Sequence, residues 1–275
     1  MLTIDMHIHS TYSDGTSSVK EIVKAAKKRG LSLISLTDHD TTAGLEPFMK
    51  VCNHYKVNGL RGIELSAEAD FMLHILGYRI RPNAPEFEQA LNEIRLHRDE
   101  RNELICEKLQ ELGMDIRIEE VRALSGGEVV ARPHIATLMM KRGYASSRSQ
   151  AFAKYLGRGG YAHVSRKRFS PEKCIELINN AGGLAVIAHP FHTGLEDDDL
   201  RELISKLKDA GLWGIESIYS GNDLTETYKC LSWAKEFGLY STAGSDFHGS
   251  TRPNISIGHV VREDFLPWAR LGISI

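Results

Sequence analysis

Eight residues with side chains able to hold transition-metal ions fall at one kind of place in this chain: His7, His9, His39, Glu64, His74, His189, Asp246 and His248. The first two sit in His7-Ile8-His9, where an extended strand would turn both imidazoles to one face and so build half of a metal site. Strand alternation produces such pairs freely, so the pair alone is weak evidence. Its company strengthens it, because imidazoles mixed with carboxylates suit divalent first-row metals and a shared carboxylate can bridge two ions. Such ions acidify water into a nucleophile near neutral pH and polarise phosphoryl or carbonyl oxygens. The chemistry implied is metal-assisted hydrolysis.

The elements around these residues place them alike. A first strand carries His7 and His9, and Ser18-Val-Lys-Glu21 is a capping box opening a helix that runs to Arg29 and ends at Gly30. An apolar run from Leu31 to Thr37 ends in Asp38-His39-Asp40, Leu60 to Leu65 carries Glu64 at its end, and Phe71 to Ile80 contains His74. Short connections between these units favour a parallel sheet with helices outside. The texture changes at Pro82: Glu86–Leu112, Ile118–Leu124, Pro133–Arg142 and Ser147–Leu156 read as helices with no strand between them. Residues 82–163 are therefore expected to form an inserted helical subdomain, leaving 1–81 and 164–275 as one barrel domain. Alternation resumes with a helix opened by Ser170-Pro171. Strands follow at Leu184–Ala188, which runs into His189, at Trp213–Ser217, and at Tyr240–Gly244, which runs into Ser245-Asp246-Phe247-His248, with helices at Asp197–Ala210 and Leu224–Phe237 between them. The metal-type residues thus fall in or just after strands of a seven-stranded α/β barrel, whose carboxyl ends converge on one face where active sites are built.

The chain of 275 residues balances 34 Lys plus Arg against 36 Asp plus Glu, so no basic field points to duplex DNA. No run of about 18 apolar residues would span a membrane, and the polar N-terminal stretch does not resemble a secretory signal. Cys52, Cys106, Cys174 and Cys230 are widely spaced, which argues against a zinc ribbon or a disulfide framework. A soluble, cytoplasmic protein without a membrane partner is expected.

Two groups of cations stand out as phosphate candidates. Arg95, Arg98 and Arg101 recur every third residue along one helix face, which on spacing alone reads as a solvated surface. Arg132 and His134 flank Pro133 at a helix start, where free N–H groups favour anions. Arg166-Lys167-Arg168 reads as a solvated basic linker or the rim of a site. Asp38 and Asp40, flanking His39, are read as carboxylates that orient its imidazole, and Asp5 as a support or strand-end residue. His54, His97, His192 and His259 read as surface or locally hydrogen-bonded groups.

Five short motifs, His7-x-His9, Thr37-Asp-His-Asp40, Gly62-Ile-Glu-Leu-Ser66, Ala188-His-Pro190 and Gly244-Ser-Asp-Phe-His248, resemble in order and placement those of the polymerase and histidinol phosphatase (PHP) superfamily of metal-dependent phosphoesterases. Within it, Ala131-Arg-Pro-His-Ile135 and the run Tyr155 to Val164 resemble the branch of nucleoside 3′,5′-bisphosphate phosphatases and the 5′-to-3′ trimming ribonuclease AM. The resemblance implies a distorted seven-stranded barrel holding up to three divalent ions, manganese first, with zinc, iron and magnesium as alternatives. It assigns His7, His9, Glu64 and Asp246 to one ion, Glu64 with His74 and His189 to a second, and Asp14, His39 and His248 to a third. Asp14 and His248 would also serve catalysis, and Arg98, Arg101, Arg132 and His134 would bind substrate. The implied substrate is a phosphorylated small molecule such as a nucleotide, above all the 3′-phosphate of a nucleoside 3′,5′-bisphosphate, or a short RNA end. Histidinol phosphatases commonly carry His at the position of Asp14, so the carboxylate favours the nucleotide branch over a histidinol-phosphate type of enzyme. Amide or lactone hydrolysis and a non-catalytic metal-binding PHP-like domain are the competing readings.

Overall fold

The computed structural model describes residues 1–125 and 129–273. The chain runs β1 (Leu2–Ile8), α1 (Val19–Lys28), β2 (Leu33–Leu36), α2 (Leu45–Tyr55), β3 (Gly59–Ser66) and β4 (His74–Tyr78). Four helices follow without a strand: α3 (Pro85–Glu111), α4 (Ile118–Ser125), α5 (Arg132–Lys141) and the short α6 (Arg148–Ala151), which runs into a π turn over Phe152–Leu156. The barrel resumes with α7 (Pro171–Asn180), β5 (Leu184–Ile187), α8 (Asp197–Asp209), β6 (Gly214–Tyr219), α9 (Leu224–Phe237), β7 (Tyr240–Gly244), β8 (His259–Val261) and α10 (Trp268–Leu271).

The sheet order is β7-β6-β5-β4-β3-β2-β1-β8. It nearly closes, because the segment after β7 meets the end of β1: His9 N–H donates to Phe247 C=O at 2.9 Å and Asp246 N–H to His7 C=O at 2.8 Å. Two features differ from the sequence reading. There are eight strands among the described residues rather than seven, since His259–Val261 adds antiparallel to the start of β1; three residues are too few to show a period. The sheet is also not uniformly parallel, for β4 runs antiparallel to both β3 and β5. Residues 67–73 are all that join β3 to β4, and a parallel return needs a crossover of about a dozen residues or more. The reversal matters to the site: it pairs His74, the first residue of β4, with Ser66, the last of β3, so His74 reaches the same rim as the strands' carboxyl ends.

Local sequence explains the helix starts. Ser18 and Glu21 form the expected reciprocal cap on α1, and Ser170 accepts from Lys173 N–H with Pro171 in the first turn of α7. Apolar residues of the strands pack inward around Met6, Leu76 and Tyr78, and outward against the helices around Ile34 and Phe48 and around Ile75 and Ile178. Helices α3 to α6 enclose a core of their own, centred on Ile105, Ile135, Met139 and Leu156. All four cysteines are free and buried. Among the described residues no helix is long and apolar enough to cross a membrane.

Candidate metal centre

The barrel rim gathers all nine expected ligands. His7 Nε2 and His9 Nε2 lie 3.1 Å apart, 3.4 and 3.1 Å from Glu64 Oε2, and 3.5 and 3.3 Å from Asp246 Oδ1. Four ligands of one tetrahedral ion, each bonded at 2.0–2.2 Å, stand roughly 3.3–3.5 Å from one another. Three of the five separations fall in that range and two, at 3.1 Å, lie just below it; His7, His9 and Asp246 form one donor group, and Glu64 groups with His7 and His189. The other oxygen of Glu64 faces a different pair, with Oε1 at 2.7 Å from His74 Nδ1 and 3.0 Å from His189 Nε2. One carboxylate thus points its two oxygens into two donor groups, the arrangement of a bridging ligand. A third group surrounds Asp14 Oδ1, with His248 Nε2 at 3.1 Å and His39 Nε2 and His9 Nδ1 at 3.9 Å. His39 stands between groups, its Nδ1 being 3.0 Å from Glu64 Oε2.

Three atoms at the heart of these groups, Glu64 Oε2, Asp14 Oδ1 and His39 Nδ1, are buried without a hydrogen-bond partner. Unsatisfied buried carboxylate oxygens are costly. Their convergence fits bound divalent cations. Burial favours the neutral acids of Asp14, Glu64 and Asp246, yet the surrounding imidazoles outweigh it and hold all three well below the usual carboxylate range. Burial instead dominates at His74, which is pushed down to about 4 and so offers a neutral ring to a metal.

The backbone that aims these ligands is strained. Asp40, His189 and Asp246 have φ of +53°, +29° and +56°, conformations that cost of order 1–3 kcal/mol in a residue with a side chain. Each is held by its own N–H: Asp40 donates to Glu64 C=O at 3.0 Å, His189 to Glu216 Oε2 at 2.7 Å, and Asp246 to His7 C=O at 2.8 Å. A shift in register between Asp5 and Ile8 helps direct His7 and His9. At Gly244 a Cβ would fall 2.3 Å from His7 Cβ and 2.4 Å from Glu216 Oε1, so only glycine fits there.

The supporting carboxylates differ from expectation. Asp38 accepts from Ser10 N–H and Oγ at 2.8 and 2.7 Å and from Ser13 Oγ at 2.6 Å, clamping the loop that carries Asp14 rather than orienting His39. Asp40 pairs with Arg98 and, at 3.1 Å, with Arg166. Asp5 accepts from Ser245 Oγ at 2.6 Å and from Gly258 N–H at 2.8 Å, tying β1 to the segments flanking its neighbours. Glu216, which the sequence reading passed over, is fully buried and accepts from His7 Nδ1 at 2.9 Å, leaving Nε2 to face the centre. Tyr219 O–H and Arg252 both bond Asp246 Oδ2 and were also missed. The one signal for Glu216 was an acid inside the apolar strand Trp213-Gly-Ile-Glu-Ser217.

The centre opens into a cleft of about 760 Å³ between the rim and the helical insertion. Arg98, Arg101, Arg132, Arg166 and Arg168 line it. Arg98 and Arg101 are only 5% and 4% exposed, so this is no solvated helix face. Each third residue of a helix drifts by about 60°, and Arg95 drifts out of the cleft to bond Asn92. Asp40 is the acid paired with these cations, whereas Arg101 Nε is buried with no hydrogen-bond partner. Burial first, and then Arg98, Arg132, Arg166 and Arg168, push the Arg101 guanidinium well below its ordinary value. Burial and the neighbouring Arg168 and Arg98 likewise bring Arg132 to about 10; it lies over the Phe152 ring and donates to Leu156 C=O. His134 is turned to its own helix start, where Nδ1 accepts Ala131 N–H at 3.0 Å. His192, read as a surface or local group, lines the cleft with its ring 4.8 Å from that of His189, and His163 lines it as well.

A βα barrel whose strand ends assemble imidazoles and carboxylates beneath an arginine-lined cleft defines a metal-dependent hydrolase of phosphoesters. The chain belongs to the PHP domain family, whose sequence profile matches residues 5–210. It is 34% identical over 245 residues to a 5′-3′ exoribonuclease of Haemophilus influenzae, covering 89% of each chain. It is 32% identical over 272 residues to a 3′,5′-nucleoside bisphosphate phosphatase of Chromobacterium violaceum, covering 98% of this chain and 95% of that one. A solved amidohydrolase from Chromobacterium violaceum, with bound sulfate and no metal, superposes with a TM-score of 0.89 at 30% identity over 98% of this chain and 95% of that one.

Proposed function

We propose that this protein hydrolyses the 3′-phosphate of nucleoside 3′,5′-bisphosphates and removes 5′-terminal nucleotides from short RNA. The observation that carries the reading is Arg101: a buried guanidinium whose Nε has no hydrogen-bond partner among the described residues, gathered with Arg98, Arg132, Arg166 and Arg168 in the same cleft as the metal centre. Such a cluster calls for an anion beyond the one at the reaction centre. A substrate with two phosphates, or a phosphate and a phosphodiester, fills both places. A simple phosphomonoester fills one.

Divalent ions, up to three and manganese first, would be held by His7, His9, Glu64 and Asp246, by Glu64, His74 and His189, and by Asp14, His39 and His248; bound there, they supply acidified water and neutralise phosphoryl charge. The chain's own residues do the rest. Arg98, Arg101 and Arg132, from the inserted subdomain of residues 82–163, bind the remote phosphate and use its binding energy to orient the reacting one. Asp14 and His248, 3.1 Å apart, would serve catalysis by holding the third ion, with His248 Nδ1 fixed by Asp246 C=O at 2.8 Å and Nε2 left to face the centre. His134, whose Nδ1 is taken by Ala131 N–H, would contact substrate only through Nε2. A cytoplasmic setting agrees with four unpaired thiols.

The structural neighbour described as an amidohydrolase raises amide hydrolysis as a competing activity, but a neutral substrate has no use for five arginines. A phosphate-release screen with added manganese, over nucleoside 3′,5′-bisphosphates, mononucleotides, histidinol phosphate and 5′-phosphorylated short RNAs, tests the proposal. Bisphosphates and RNA ends should lead. A preference for histidinol phosphate or for simple mononucleotides would overturn it.

A further inference from the structure

The cleft is lined by both charged and apolar residues. Arginines line much of it, while the seven-residue connection from β3 to β4 has no cation in its own sequence and contributes Ala67, Ala69, Phe71, Met72 and Leu73. Its charged members are acidic, Glu68 and Asp70. Arg158 pairs with Asp70, and Arg168 donates to Ala67 C=O at 3.4 Å, so what the connection itself offers a ligand is its apolar side chains.

The apolar wall is a fixed surface. Ala67 N–H donates to Leu73 C=O at 2.9 Å, closing the connection on itself, and Glu68 N–H donates to Phe169 C=O at 2.8 Å. Arg158, from the end of the insertion, bonds Asp70 through both its backbone carbonyl and its carboxylate, the latter at 2.9 Å. Phe71 packs against the barrel's outer core, while Met72 is 52% exposed and faces the cleft. An exposed methionine on so constrained a segment offers its thioether to something other than the protein.

Position says what that is. Met72 stands two residues before His74, one of the candidate ligands, so their Cα atoms are at most about 7 Å apart. A group seated on Met72 and Phe71 is therefore within about one sugar ring of the metal centre. We propose that Phe71 and Met72 form a nucleobase seat, gripping the base by stacking and dispersion while the phosphates lie on the metals and on the arginine wall. The inference rests on the nucleotide reading above and deepens it. The seat's side chains hold no hydrogen-bond donor and only the weakly accepting thioether, and methionine adapts its shape to what it touches. Recognition is then indifferent to base identity, as suits stacking surfaces, since every base presents a π face.

The test compares wild type with Met72→Ala on the four nucleoside 3′,5′-bisphosphates and on propane-1,3-diol bisphosphate, which keeps two phosphates and lacks a base. In the wild type the four nucleotides should agree in kcat/KM within about threefold, and all should exceed the base-free compound. Met72→Ala should lower the ratio of nucleotide to base-free kcat/KM by about 2- to 12-fold, with Met72→Leu restoring most of it. A wild type that favours one base by more than tenfold, or a Met72→Ala variant with an unchanged ratio, overturns the seat. A wild type that releases no phosphate from any of the nucleotides overturns the underlying substrate assignment instead, so the two failures are distinguishable.

Discussion

Glu216→Gln isolates how far a residue outside the metal shell governs metal binding. The carboxylate meets two donors, the His7 ring Nδ1–H at 2.9 Å and the His189 backbone N–H at 2.7 Å. Glutamine presents one oxygen and one NH2 to the same two donors, so one N–H must face another. The loss is one hydrogen bond and the stranding of a buried donor, about 1–3 kcal/mol. If that destabilises the ligand-ready His7 and His189 geometry, metal affinity falls about 5- to 150-fold at 1.4 kcal/mol per factor of ten, which brackets the 10–100-fold typical of such supports. The assay is calorimetric titration of manganese into chelator-stripped protein, with circular dichroism to confirm that both proteins are folded. A folded Glu216→Gln protein that binds manganese with wild-type affinity would refute the reasoning and leave Glu216 as a packing residue.

Three further predictions address other links. Glu64→Gln should reduce bound metal at two sites at once, because a neutral amide is a poor bridge between cations; metal content by mass spectrometry after reconstitution should fall by about two ions, and loss of one alone would deny the bridge. Arg132→Ala should lower kcat/KM for a nucleoside 3′,5′-bisphosphate by about tenfold or more, from the 1.5–3 kcal/mol of a hydrogen bond to a charged group, and should affect p-nitrophenyl phosphate much less; equal losses would sink the two-anion scheme. Asp40→Asn should destabilise the fold, since it leaves Arg98 and Arg166 buried without their shared counter-charge: about 3–5 kcal/mol, or a Tm lower by roughly 6–20 °C, and an unchanged melting curve would contradict it. Burial alone would raise the Asp40 pKa, but Arg98, Arg166 and His39 outweigh it and the folded value lies below the ordinary 3.8. Its stabilisation is therefore present at neutral pH and above 3.8, and is lost as the pH falls toward the folded value. The wild-type advantage over Asp40→Asn should shrink only in strong acid.

Much of the site was readable in the sequence because its chemistry is carried by short local patterns. His7-x-His9 needs only strand alternation, the Ser18–Glu21 cap only a helix turn, and the candidate ligands after Thr37, Ala188 and Gly244 only the rule that strand ends converge. The four-helix interruption was equally visible, because it breaks a repeated alternation. What tertiary structure alone decided lies in contacts between residues far apart in the chain. The direction of β4 follows from how few residues join it to β3, and it determines that His74 reaches the rim at all. Glu216 meets His7 across 209 positions, and Asp40 gathers Arg98 and Arg166 from 58 and 126 positions away. No local period encodes such pairings, because a buried charge is satisfied by whatever the fold brings within about 3 Å. For the same reason Arg98 and Arg101, which as a spacing pattern read as a wet helix face, become a buried cationic lining of the cleft only once the insertion folds back over the barrel.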